Sequence, residues 1–166
     1  MMLSYLFRGQ FEESPHEMRD IVLASLDDAV DKVIRELKSA GMYNNSVILL
    51  TTDNGGGPWY SNSPLKGTKE TLYEGGIRAA SFLLSPLLSQ PGRRYEGFLH
   101  LVDWTPTFLR LAGLRDAAPD IDGVDVWDAV NRDEPAPRES IIHNIDQMRD
   151  GQGWQATISK GSPKFV

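Results

Sequence analysis

The chain has 166 residues, with 40% hydrophobic and 24% charged content, enough apolar material for a packed core and too much for wholesale disorder. A net charge of -6 and the lack of any Lys/Arg-rich run exclude binding of nucleic acid or anionic lipid by bulk attraction. With no cysteine, a disulfide framework and a thiolate metal site are both excluded.

Residues 1–19 show no hydrophobic period and read as an irregular N-terminal segment, with His16 as a surface residue. Its apolar part is short and no basic region precedes it, so it is not expected to act as a signal peptide. No apolar run approaches the roughly 20 residues of a membrane span. From there Val22, Leu26, Ala29, Val30, Val33 and Leu37 recur at spacings of three and four, which predicts an amphipathic helix. Asp28 with Lys32, and Asp31 with Arg35, are opposite charges four apart on its outer side. Asp27, Asp28 and Asp31 read as a solvated face rather than a metal site. Gly41 is the expected stop.

The turn "YNNS" follows, and Asn44-Asn45-Ser46 is a glycosylation sequon, of use only on the secretory route. Residues 47–52 form a continuous apolar run, as in a central parallel strand covered on both faces. That run ends on Asp53-Asn54 and opens into three consecutive glycines. A second buried strand is expected over 77–85, broken by Pro86. A helix is expected from about Trp104 to Ala112, with Asp103 as N-cap and Gly113 as its end. Residues 115–140 read as surface loop, with "DGVDVWDAV" as a short turn of helix, and "SIIHNI" as a short strand-like run. The order of elements predicts an α/β sheet with helices packed on it.

In open α/β sheets, ligands bind at the carboxyl ends of the strands, which is where Asp53 and Asn54 stand. A carboxylate and an amide oxygen are hard donors, suited to Ca²⁺ or Mg²⁺. The glycines allow a sharp turn and close approach. Lys66 and Lys69 return positive charge to the same rim, and lysine is a mobile point charge that suits an anion. A hard cation beside lysine suits an oxyanion ester such as sulfate or phosphate. The same Asp-Asn-Gly run also reads as an ordinary turn, because Asn and Gly tolerate positive φ.

The segments "LLTTDNGG", "PLKGTKETLYEGGIR", "FLLSPLL", "HLVDWTPTFLRLAG", "DGVDVW" and "HNID" stand in one order that resembles the sulfatase family, in its arylsulfatase B, I and J branch. The resemblance runs from about residue 20 to about residue 146, and implies the C-terminal part of a sulfatase catalytic domain, with 147–166 as a truncated tail. The fold it implies is an α/β, alkaline-phosphatase-like sandwich, partial here, with a mostly parallel sheet and flanking helices. It implies one Ca²⁺ held by Asp53 and Asn54, an incomplete ligand set. It places Lys69 on the substrate sulfate, as the catalytic and substrate-binding lysine, with Lys66 as a basic neighbour. Glu74 and Arg78 of "EGGIR" read as structural. His100 is expected to pack or hydrogen-bond locally, and His143 to be structural, with a place near the substrate rim as the alternative. Trp104 is expected to pack, as is Trp59, which stands in the site loop beside any substrate pocket.

The family's nucleophile is a formylglycine made from cysteine, occasionally serine, in a Cys-x-Pro-Ser-Arg context. Neither version is present, nor the first pair of calcium-binding aspartates, nor the upstream lysine and histidines. The expectation is an arylsulfatase piece, an incomplete gene product or truncated isoform, that does not hydrolyse sulfate esters alone. Two alternatives stand beside it. A phosphate-ester hydrolase of the same superfamily more often carries Asp-His-Gly, where this chain has Asp53-Asn54-Gly55. A non-catalytic binder of a sulfated glycan or protein is opposed, for the glycan, by the acidic charge. The resemblance further implies a sulfated small molecule or glycan as substrate, and a lysosomal or secreted location, with which the Asn44 sequon agrees.

Overall fold

The computed structural model describes residues 15–114, 120–147, 153–161 and 164–165. The chain divides into two compact units, one of residues 1–49 with 83–87 and one of residues 50–82 with 88–166.

The first unit is dominated by helix α1, Pro15–Ser39. It starts inside the segment whose composition suggested irregular structure. Proline fits the first turn of a helix, where its missing N–H has no partner to lose. The helix ends as expected: Gly41 takes φ +70°, and Met42 N–H donates to Leu37 O at 2.9 Å. The Arg35–Asp31 pair forms at 2.5 Å on the exposed side, where it contributes little. The apolar face differs from expectation. Ile21, Val30, Ile34 and Leu37 are half-buried, but Val22, Leu26 and Val33 stay exposed, as does Leu23. Spacing predicts which residues share a face. It does not supply the surface that covers them, and among the described residues α1 packs near the short 3₁₀ turn Tyr43–Asn45, where Lys38 lies over the Tyr43 ring.

Strands β1 (Ile48–Thr51) and β2 (Ser81–Leu84) form a two-stranded sheet. Both are shorter than their apolar runs suggest. All four residues of β1 are half-buried rather than covered on both faces. Buried Ser85 donates from Oγ to Ser46 O at 2.6 Å, which ties the residue after β2 to the approach to β1.

In the second unit, the short helix α2 (Glu74–Ile77) replaces the expected start of the second strand. Helix α3 (Trp104–Leu111) and helix α4 (Trp127–Arg132) carry much of the core: Trp104, Val126, Trp127 and Ala129 are buried, and Trp104 stacks on Phe108. Asp103 stands at the start of α3 but does not cap it with its side chain. Its carboxylate, fully buried, faces the other way. Oδ2 accepts from His100 N–H at 2.8 Å and Arg138 Nε at 3.1 Å, and Oδ1 accepts from Val124 N–H at 3.0 Å and Arg138 Nη2 at 2.5 Å. The His100 ring nitrogen Nδ1 accepts from Val102 N–H at 3.3 Å, a local role of the kind expected. Thr107 Oγ1 donates to Asp103 O and accepts from Val126 N–H, which joins α3 to the segment entering α4. Arg110 bridges Asp125 at 2.9 Å and Asp128 at 2.6 Å. Asn131 closes the end of α4, accepting from Ser89 N–H at 2.6 Å.

The C-terminal part is richer than its sequence suggests. Strands β3 (Ser140–Gln147), β4 (Trp154–Lys160) and β5 (Lys164–Phe165) form an antiparallel sheet in that order. Ile141 pairs with Ser159 and Asn144 with Thr157, and the register shifts between Ile142 and Asn144. His143 lies at that irregularity and its Nε2 meets Ser159 Oγ at 2.8 Å.

Candidate metal and sulfate site

At the end of β1, Thr52 N–H donates to Ala80 O at 2.9 Å, and Thr52 Oγ1 accepts from Ala80 N–H at 2.9 Å. The side chain thus satisfies a backbone donor of the neighbouring segment, and the chain leaves the ladder at Asp53. Asp53 is exposed, and Asn54 is half-buried. Asn54 Nδ2 donates to Gly55 O at 2.7 Å, which commits the nitrogen to the loop.

Of the glycines that follow, Gly55 is required by close backbone approach. Gly55 N–H donates to Gly76 O at 2.9 Å, and a Cβ on Gly55 would fall inside the Gly75 carbonyl. Gly75 N–H in turn donates to Lys66 O at 2.7 Å. Three segments, "DNGG", "PLKGTK" and "EGG", are therefore stitched together through main-chain atoms. This is also the physical role of "EGGIR": Gly75 and Gly76 are buried, while Glu74 and Arg78 form a long 3.9 Å pair at the surface.

Lys69 is exposed and is held at its backbone: its N–H donates to Gly56 O at 2.9 Å. Thr71 N–H donates to Thr68 O at 3.0 Å, so Lys69 and Glu70 are the corner residues of a turn, with Glu70 at φ 76°. Positive φ at the third residue of such a turn is the type II signature, a position that favours Gly or Asn. Lys66 points elsewhere, with Nζ over the Tyr73 ring at 4.0 Å from its centroid. Trp59 sits at the corner of the Gly57–Tyr60 turn, exposed rather than packed. Asn44, the sequon residue, is exposed in its 3₁₀ turn.

Reasoning from sequence overlooked Asn62. Its Oδ1 accepts from Gly56 N–H at 2.9 Å, and its Nδ2 donates to Gly56 O at 2.9 Å and Gly67 O at 3.1 Å. The signal available was an amide between two glycine loops, at a position that carries no chemistry of its own.

The donor set of Asp53 and Asn54 fits a hard cation in kind, because both supply oxygen. It does not complete a site. Among the described residues no group of three or more His, Cys, Asp or Glu stands together as a metal cage.

The sulfatase family profile matches residues 7–114. The chain belongs to the sulfatase family. It is 44% identical over 130 residues to Arylsulfatase J of Mus musculus, a match that takes in 76% of this chain and 22% of that protein. It is 32% identical over 129 residues to N-acetylgalactosamine-6-sulfatase of Mus musculus, across 72% of this chain and 23% of that protein. Among solved structures it is similar to that titled "Crystal structure of Ps i-CgsB", with a TM-score of 0.72 and 26% identity, over 86% of this chain and 32% of that one. This sulfatase chain thus has part of the alkaline-phosphatase-like α/β fold, and spans about a quarter or less of the length of those curated relatives.

Proposed function

We propose that this sulfatase chain carries the part of an arylsulfatase site that holds Ca²⁺ and the ester sulfate, within the C-terminal part of the catalytic domain. Asp53 and Asn54 would be the metal ligands, and Lys69 the sulfate-binding and catalytic lysine. The observation that carries this reading is the hydrogen bond from Lys69 N–H to Gly56 O, two residues beyond Asn54. It ties the Lys69 backbone to the loop that carries Asp53 and Asn54, which supports a cation and a lysine acting on one oxyanion ester.

When bound, Ca²⁺ supplies positive charge that polarises the sulfate oxygens. The residues here do the positioning. Gly55 and Gly56 hold the acid–amide pair at the strand end, and the Thr68–Thr71 turn presents the Lys69 ammonium to an anionic oxygen. Lysine at that place stabilises charge on the ester and donates a hydrogen bond to it. The chain contains no cysteine and no Ser-x-Pro-Ser-Arg substitute, so no residue here is the formylglycine nucleophile. The proposal is therefore that the chain by itself binds but does not hydrolyse.

The substrate class is a sulfated small molecule or glycan. A phosphate-ester reading is the lesser one, because Asn54 stands where such enzymes more often place a histidine. A lysosomal or secreted setting agrees with the exposed Asn44, which would carry a glycan there, and no described helix is long and apolar enough to cross a membrane.

The test is calorimetric titration of the chain with CaCl₂ and with sodium sulfate, beside turnover of a chromogenic aryl sulfate. Asp53→Ala should remove the calcium response and Lys69→Ala should weaken sulfate binding tenfold or more, about 1.4 kcal/mol, with no turnover in any form. Turnover by the unaltered chain, abolished in Lys69→Ala, would overturn the inactive reading.

A further inference from the structure

We infer that Asn62 is the positioning residue that couples the cation half of this site to its sulfate half. The inference rests on the function proposed above for Asp53, Asn54 and Lys69. No other described side chain is shown bonding to both glycine loops of the site. Toward the metal loop, Asn62 grips the Gly56 backbone on both sides, accepting from its N–H and donating to its carbonyl, each at 2.9 Å. Toward the lysine loop, its second amide hydrogen goes to Gly67 O at 3.1 Å. The same Gly56 carbonyl accepts from Lys69 N–H. Gly56 is thus one residue shared by the loop of Asn54, by Asn62 and by Lys69.

Half-burial of Asn62 keeps these bonds out of full competition with water. Its backbone is anchored as well, since Leu65 N–H donates to Asn62 O at 2.8 Å. Packing leaves little slack: a Cβ on Gly56 would stand 2.8 Å from Asn62 Oδ1. An ion that pulls on Asp53 and Asn54 therefore moves the Gly56 backbone, and through it the Lys69 backbone and the Gly67 carbonyl. An anion on Lys69 acts back along the same atoms. Such coupling is reciprocal by thermodynamic necessity.

The experiment follows backbone amides of the whole ¹⁵N-labelled chain by NMR during titration with CaCl₂, sodium sulfate, and each in the presence of the other. In the unaltered chain Ca²⁺ should shift the amide of Lys69 as well as those of residues 53–56. Saturating sulfate should tighten Ca²⁺ by roughly fivefold or more. Asn62→Ala should keep the local responses but reduce the mutual effect below about twofold. Asn62→Asp keeps an acceptor for Gly56 N–H and loses both Nδ2 donors. It should behave like Asn62→Ala, and decides the matter if the alanine variant does not fold. Arg110→Gln, which weakens a separate ion-pair network of the same unit, should leave the coupling intact. Fivefold coupling retained in both Asn62 variants overturns the inference, as does an equal loss in Arg110→Gln, which would mark a general effect of stability. If Asp53→Ala and Lys69→Ala leave Ca²⁺ and sulfate binding unchanged, the site assignment itself is wrong and the coupling falls with it.

Discussion

Asp103 shows how one buried carboxylate organises a whole unit. Burial pushes its pKa up, but hydrogen bonds from Arg138, Val124 N–H and His100 N–H outweigh burial, and the group lies below its ordinary value of 3.8. A depressed folded-state pKa means that the stabilisation is fully present above the ordinary value, and is lost as pH falls through the lower, folded one. The unit should therefore lose stability below about pH 4 in urea titrations at stepped pH, and the loss should be absent in Asp103→Asn. That substitution should itself cost roughly 3 kcal/mol at neutral pH, because it strands the largely buried Arg138 guanidinium. Glu70 makes the opposite case. A glutamate at φ 76° is held in a region that costs an L-residue about 1–2 kcal/mol. Glu70→Gly should raise stability by about 0.5–1 kcal/mol, read from the urea midpoint, while loosening the turn that presents Lys69.

The loops around the site behave as one element made of backbone. Gly55, Gly75 and Gly76 are each within reach of a neighbouring carbonyl where a Cβ would have to sit: Gly75 O for the first, Gly67 O and Lys66 O for the second, Thr71 O and Thr68 O for the third. Main-chain oxygens cannot swing aside as a flexible side chain can, so relief requires the loops to part. Gly75→Ala should destabilise the chain by about 2–3 kcal/mol and abolish Ca²⁺-dependent shifts at residues 53–56. Gly57, where a Cβ meets nothing within 4 Å, is the natural control, and Gly57→Ala should leave both unchanged. Helix α1 teaches a related lesson about elements. Its period, stop and Asp31–Arg35 pair were all legible, yet the face it covers was not, because burial depends on what lies opposite.

At the level of the whole molecule, apolar surface left open is the dominant feature. On α1, Leu23 and Val33 are 54% and 53% exposed, and on the β3–β4 sheet Ile142, Ile145 and Trp154 are 60%, 64% and 73% exposed. Pairing puts Ile142 opposite Ile158 and Ile145 opposite Ala156, so one sheet face is an apolar stripe while Thr157 and Ser159 are buried on the other. That is the reverse of the pattern in which the polar face meets water. Contiguous exposed apolar surface favours association. The purified chain should form concentration-dependent oligomers in light-scattering chromatography, and Ile145→Thr with Trp154→Ser should shift it toward monomer. The net charge of -6 opposes association at low salt, so added salt should strengthen it.

The sequence alone determined the local and the chemical: the period of α1, the glycine stops at Gly41 and Gly113, the strand ending on Asp53-Asn54, and a run of ordered motifs specific enough to indicate the family. These follow from short-range sterics and from residue type, which a linear string records directly. The tertiary structure decided what depends on distant partners. It put the Asp103 carboxylate on Arg138 rather than on its own helix, delayed the strand expected from residue 77 to Ser81, and built β4 from a stretch taken for a tail. It also found Asn62, whose importance lies wholly in the two glycine loops it joins. An amide has no signature until its partners are known, because its hydrogen bonds are set by where the chain returns and not by the residues beside it.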